Sequence, residues 1–395
     1  MSPSVFIRLS VMMLLQYFIW GAWYVTMGTY MSTFLQSNGV QIGAAYSALA
    51  IATMISPFFV GMVADRFFEA QRIMGTLHML GALLLFAATV VTDNTAFYWV
   101  ILFYSLLYMP TIALSNSIAF HQMSDPGKQF PWIRVFGTIG WICAGAFITL
   151  LGIEKTPSTF YLAIAGSASL GLLSFMLPNT PPKGQSSASA IGTEALVLLK
   201  DAPYRVFFVA AILVCIPLSF YYGFANVFLN DLGMEGTAAK MTMGQVSEAV
   251  FILAIPFLFN RIGVKNMLLM GMTAWILRYI CFAYGNLESA SWMLYAGIIL
   301  HGICYDFFFV TGYMYTEKKA GEKIKNAAQG LFTFATYGLG MFIGTWSSGF
   351  VTDYYTIDGA HHWKEIWFVP AYIALAVIIY FLTFFKEKRE IQIAN

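Results

Sequence analysis

Twelve stretches of mostly apolar residues follow one another along this chain with little between them. They run roughly over 9–35, 41–64, 73–92, 96–120, 132–153, 159–178, 204–230, 240–260, 266–285, 291–316, 327–352 and 365–385. A helix rises about 1.5 Å per residue, so about 20 apolar residues cross the roughly 30 Å of hydrocarbon in a bilayer. The longer runs must tilt or protrude. No water reaches backbone groups at that depth, so such runs fold as helices. Composition agrees: 59% of residues are hydrophobic, only 10% are charged, and the mean hydropathy is +0.70. A soluble domain carries about 25% charged residues. The expected fold is an all-α membrane protein of twelve transmembrane helices. None of the 395 residues are left over for a separate soluble domain. The first run is long and a second follows directly, so it reads as a first span rather than a cleaved signal.

The least apolar connection is 179–203, rich in Pro, Gly, Ser and Ala. It divides the chain into an N-terminal six-helix bundle, 1–178, and a C-terminal one, 204–395, with a cytoplasmic linker between them. Two pseudo-symmetric bundles of six are the organisation of a secondary transporter. With twelve spans, the side carrying both termini collects sixteen of the 21 Lys and Arg residues, and the other side three. By the positive-inside rule both termini are cytoplasmic. Between the second and third runs stand Gly61, Asp65 and Arg66, with Arg72 further on. This resembles the loop motif G-x-x-x-D-R/K of the major facilitator superfamily, although the later glycine of that motif is missing. A glycine allows close helix approach, and an acid at a helix end can pair with a base across the half interface. The plainer reading is a solvated turn.

A net charge of +2 gives no argument for nucleic acid. Cys143, Cys215, Cys281 and Cys304 all lie in apolar segments without a CxxC pair, so they read as small core residues rather than disulfides or metal ligands. No His/Glu metal pair, no Ser-His-Asp set and no Gly-rich phosphate loop points to an enzyme. No cofactor or metal is expected.

Two acids stand inside apolar runs: Glu248 in GQVSEAVFILAIPF and Asp306 in IILHGICYDFFFV. An ionised side chain at mid-membrane costs about 2.5–3.5 kcal/mol on insertion scales, so such residues are functional candidates first. The alternative is a structural carboxyl that is neutral or paired. Gln245 shares a face with Glu248, and His301 and Tyr305 lie one turn apart, just before Asp306. Arg134, Thr138 and Trp141 form one stripe carrying a cation, a hydroxyl and an aromatic face. That mixture suits an organic solute with hydrogen-bonding edges and a flat ring. Taken singly, Arg134 could be a snorkelling anchor and Trp141 ordinary packing. Gln16, Trp20, Asn116 and Asn226 are further membrane-depth polar groups, each by itself more often helix–helix glue. Arg278 has no local acid.

At these residues the chain resembles the nucleoside–proton symporters of the major facilitator superfamily, like the enterobacterial nucleoside permeases. The resemblance runs nearly end to end. It is densest in LQYFIWGAW, IRVFGTIG, GQVSEAVFILAIPF, AWILRYICFAYG, the DFF at Asp306 and the AAQG around Gln329. It implies a substrate site between the halves, with Arg134, Thr138, Gln245, Glu248 and Asp306 at its sugar, base or coupling positions. Trp141 and Tyr305 stand where the family carries phenylalanine, and His301 where tyrosine is usual. Where the family holds the base with a Gln and an Asn, this chain has Ser219 and Tyr222. The implied function is proton-coupled nucleoside import by alternating access, with Glu248 and Asp306 as the coupling pair and the proton gradient as energy source. The implied setting is a monomer among lipids in the bacterial inner membrane. The Ser219/Tyr222 departure keeps a second solute class open, a sugar or amino-sugar derivative, and a transport-dead sensor is a third reading.

Overall fold

A computed structural model describes residues 1–59, 67–182 and 193–386. The loop residues Gly61, Asp65 and Arg66 lie outside the described residues. Helices begin where a short polar side chain can take the first free amides and a proline can follow without losing a hydrogen bond. Ser2 and Pro3 open the first helix this way, and Asp125 and Pro126 open the fifth crossing. Asp93 caps the fourth by accepting from Ala96 N at 2.8 Å.

Among the described residues, twelve crossings result. The first six are Pro3–Thr33, Gly39–Phe59, Ala70–Val90, Asn94–His121, Pro126–Leu151 and the shorter Ser158–Ser174. The seventh is Ala202–Asp231. After the short helix Thr237–Met241, one 42-residue helix, Met243–Tyr284, carries most of the eighth and all of the ninth. Straight, it would measure roughly 60 Å, twice the hydrocarbon thickness. It is broken at Gly263, where φ is 78° and ψ 164°. The helical stretch Ser291–Tyr354 is likewise broken at Gly321, with φ 64°, into the tenth and eleventh crossings. A side chain at either position would meet the steric cost of positive φ, so a single glycine serves as the connection. Trp363–Phe384 is the twelfth. The sequence divided these stretches at the right places but put loops of several residues where one residue suffices.

Within the first six crossings, the first packs on the fifth and sixth, and the third on the fourth and sixth. Within the last six, the seventh packs on the eleventh and twelfth, and the eighth on the tenth. Between the groups, the second lies along the eleventh, and the fifth meets Thr237–Met241 of the eighth. A shift of six crossings turns the second–eleventh pair into the eighth–fifth pair, so the two interfaces are pseudo-symmetric equivalents. Thr193–Lys200, inside the polar connection, forms a 3₁₀ helix with Ala195 and Leu198 buried. It is fastened beside Thr311–Thr333 by the 2.9 Å pair of Asp201 with Lys319.

Among the described residues, the hydrogen bonds joining the two groups lie at the end opposite the termini. Asp353 accepts from Gly39 N at 2.5 Å and Val40 N at 2.9 Å. Glu154, 9% exposed, accepts from the amides of Asn226 at 2.7 Å and Asn230 at 3.1 Å. Thr29 Oγ1 donates to Asn226 Oδ1 at 2.5 Å, and Ala239 N to Thr149 Oγ1 at 3.0 Å. A Cβ on Gly28 would come within 2.5 Å of the Gly223 carbonyl oxygen. That end is shut.

Candidate substrate and coupling site

The eighth and tenth crossings approach closely because small residues face each other. A Cβ on Gly302 would fall 2.5 Å from Ser247 Oγ and 2.7 Å from Glu248 N, and Ser247 Oγ donates to Ile299 O at 2.5 Å. This contact sets Glu248 beside His301, with Oε2 and Nε2 4.0 Å apart. Glu248 keeps 34% of its side chain exposed, whereas His301 keeps 1%. The imidazole lies parallel to Tyr221 at 5.1 Å and edge-on to Tyr222 at 6.2 Å. Neither ring nitrogen has a hydrogen-bond partner among the described residues.

Across the group interface stands Arg134. Its guanidinium lies 4.0 Å over the Tyr17 ring, and its charge acts on Glu248. It is half-buried, as is Thr138 one turn on. Trp141 meets Trp20 edge-to-face at 5.7 Å, and Tyr24 faces Tyr222 at 5.4 Å. Trp141, Tyr222 and Gln245 line one cavity with Gly21 and Thr242. Its free volume is about 20 Å³, room for about one water and not for an organic solute. Binding a solute there requires the two groups to part.

Asp306 is fully buried, 0% exposed, and neither carboxyl oxygen has a partner among the described residues. It opens a π-helical turn, Asp306–Val310, followed by Phe307, Phe308 and Phe309. A second π-helical stretch, Phe334–Gly340, lies in the eleventh crossing, and the Tyr305 and Tyr337 hydroxyls meet at 2.5 Å. Such widened turns recur at functional sites because they re-aim side chains. Asp306 feels the charge of Glu248.

Of the residues singled out in the sequence, Arg134, Trp141, Tyr222, Gln245, Glu248, His301, Tyr305 and Asp306 are brought into one region. Ser219 is turned elsewhere. It is fully buried, its Oγ donates to Cys215 O at 2.8 Å, and it lies against Met341 and Gly344 of the eleventh crossing. Asn226 belongs to the shut end, and Gln16 to a network with His78 and Thr111. Tyr17 and Tyr24 were missed; each sits within one turn of the flagged Trp20, and that spacing was the available signal. Glu154 and Asp353 were passed over as acids at helix ends. Among the described residues, no three His, Cys, Asp or Glu side chains are grouped to hold a metal ion.

Twelve crossings in two groups of six, with a polar and aromatic site between them, define a secondary transporter of the major facilitator type. Comparison with known proteins narrows the class. The profile of the nucleoside H+ symporter family matches residues 3–390. YegT of Escherichia coli (strain K12) is 40% identical, over 96% of this chain and 93% of its own length. The xanthosine permease of the same organism is 37% identical, over 98% and 97%. Crystal structures of the nucleoside transporter NupG superpose with TM-scores of 0.93 and 0.91 at 34% identity, covering 97% of this chain and 100% of theirs. The chain belongs to the nucleoside H+ symporter family and is a multi-pass membrane protein.

Proposed function

We propose that this protein imports nucleosides together with protons, as a monomer in the bacterial inner membrane, with both termini in the cytoplasm and without a cofactor. The observation that carries the reading is the position of Glu248. It is a partly buried carboxyl group that feels the charge of a cation from the other group, Arg134, and lies beside an imidazole from its own, His301.

In this reading the solute enters between the groups and takes over the polar contacts of Glu248 and Gln245 with its ribose hydroxyls. Arg134 and Thr138 meet the carbonyl edge of the base, and Trp141, Tyr222 and Tyr305 offer ring faces for offset stacking. Asp306 carries the proton. A carboxylate buried without donors is costly, and taking up a proton removes that cost, so the loaded carrier crosses and the empty site releases the proton inside. With Ser219 turned into the packing, Tyr222 replaces paired amides at the base edge. Each missing neutral hydrogen bond is worth about 0.5–1.5 kcal/mol, so base preference is relaxed.

The test is uptake of labelled uridine and adenosine into proteoliposomes, with and without an inward proton gradient. Unlabelled bases, sugars and amino sugars serve as competitors. Gradient-driven accumulation that nucleosides alone compete for is expected. Competition by a sugar derivative and by no nucleoside would leave the fold and remove the substrate reading.

A further inference from the structure

Arg278 in the ninth crossing has no place in the site as drawn, and its surroundings are unusual for a cation. It is 0% exposed. Its Nε donates to Gly297 O at 2.9 Å, but neither Nη has a hydrogen-bond partner among the described residues. Among the described residues, no salt bridge holds it. What lies against it is aromatic: the guanidinium carbon sits 4.0 Å over the Tyr221 ring and 5.0 Å from the Trp275 ring. Tyr221 also stacks on His301, 5.1 Å away and within 23° of parallel. Beyond His301 is Glu248 at 4.0 Å. The four side chains form a column: cation, phenol ring, imidazole, carboxylate. It draws one member from each of the ninth, seventh, tenth and eighth crossings.

We propose that Arg278 is a positioning residue for proton coupling, pinning the Tyr221 ring so that the stacked His301 is held against Glu248. This rests on the symporter reading above. A buried cation is expensive in lipid and tends to face something that uses it. A planar guanidinium stacks on a ring face, whereas an ammonium meets it as a point charge, so arginine suits this post. The column also lies wholly within the last six crossings. Glu248 therefore has two kinds of neighbour. Arg134 stands on the other group and withdraws when the groups part. His301 travels with Glu248 through the cycle. The remaining groups that act on or with Glu248 are Asp306, Tyr222 and Tyr305. None of these is a cation. Without the column, Glu248 loses its resident neighbour whenever Arg134 is away, and charge transfer falls out of step with solute movement.

The experiment measures two modes of transport in proteoliposomes: proton-driven accumulation of labelled uridine, and its energy-independent counterflow. In Arg278→Met and Tyr221→Leu, accumulation is expected to fall at least tenfold while counterflow stays within threefold of wild type. Arg278→Lys keeps a charge over the ring and should recover part of the coupling; Tyr221→Phe keeps the ring and should recover most of it. If both modes fall in step with thermal stability, Arg278 is only structural and the inference is overturned. Wild-type accumulation in Arg278→Met overturns it equally. A readout independent of solute is the rate at which a lipid-soluble carbodiimide modifies Glu248, followed by mass spectrometry. It should rise at least threefold in Arg278→Met and stay level in Tyr221→Phe. If wild type moves no uridine, the function proposed above fails, and an unchanged carbodiimide rate in Arg278→Met still refutes the positioning role.

Discussion

Each six-crossing group buries one histidine at membrane depth, and the two are treated in opposite ways. His78, in the third crossing, has both ring nitrogens engaged: Nδ1 with Ser167 Oγ at 3.2 Å and Nε2 with Gln16 Oε1 at 3.0 Å. Gln16 in turn donates to Thr111 Oγ1 at 2.8 Å, and its carbonyl accepts from the Tyr108 hydroxyl. Among the described residues, neither nitrogen of His301, in the tenth, has a hydrogen bond, and neither oxygen of the fully buried Asp306 five residues on has one. A closed network rigidifies the helices it ties, whereas open polar groups are high in energy until something arrives to answer them. The first group supplies the frame with one cation, Arg134, at its edge. In the proposed cycle, the second carries the groups that change state.

The sharpest way to break this comparison is to remove the acids. Asp306→Asn and Glu248→Gln should each abolish gradient-driven accumulation, with at least one retaining energy-independent exchange; full accumulation in both would show that coupling lies elsewhere. Next is Arg134→Ala. Hydrogen bonds to a charged group are worth about 1.5–3 kcal/mol, so solute affinity measured by calorimetry should drop roughly ten- to a hundredfold. An unchanged affinity would make Arg134 a membrane anchor. A smaller effect, of a different kind, is expected from the frame. His78→Leu removes the imidazole from both Gln16 Oε1 and Ser167, although Gln16 keeps Thr111 and Ser167 Oγ keeps the carbonyl of residue 78; the orphaned Gln16 oxygen costs about 1–3 kcal/mol of stability. The unfolding midpoint in detergent should fall, with accumulation and counterflow declining together, whereas His301→Phe should keep the midpoint and lose coupling. The smallest effect belongs to Ser219→Ala. Its hydroxyl serves its own helix, and groups without shared partners stay independent within about 0.5 kcal/mol, so affinity should change less than about twofold. A larger loss would place Ser219 in the site.

Much of this was legible in the sequence because lipid imposes simple rules. Apolar length marked the crossings, while the caps at Ser2–Pro3 and Asp125–Pro126 start their helices ahead of the apolar runs and went unread. Glu248 and Asp306 stood out because acids are rare at that depth. Direction around a helix was less legible. Ser219 and Tyr222 are three residues apart, yet one is turned into the eleventh crossing and the other lines the cavity. Which neighbour a helix face meets depends on the other group, and no local pattern encodes that. The same limit hid Glu154 and Asp353, whose partners are 72 and 314 residues away in the chain. It left Arg278 unexplained as well, since its answering group is a ring on another crossing rather than an acid nearby. The single-residue breaks at Gly263 and Gly321 escaped because a lone glycine inside a helical pattern is usually tolerated.

The shut end has a consequence for the direction of traffic. Asp353 and Glu154 each hold the two groups by hydrogen bonds to a charged oxygen, and glycines bring backbone against backbone beside them. The two sets of bonds lie at different places along the group interface, and both must break for that end to open. Under the orientation proposed above, the tied end is the outer door, and nucleoside leaving the cell through this carrier must first break the ties at Asp353 and Glu154.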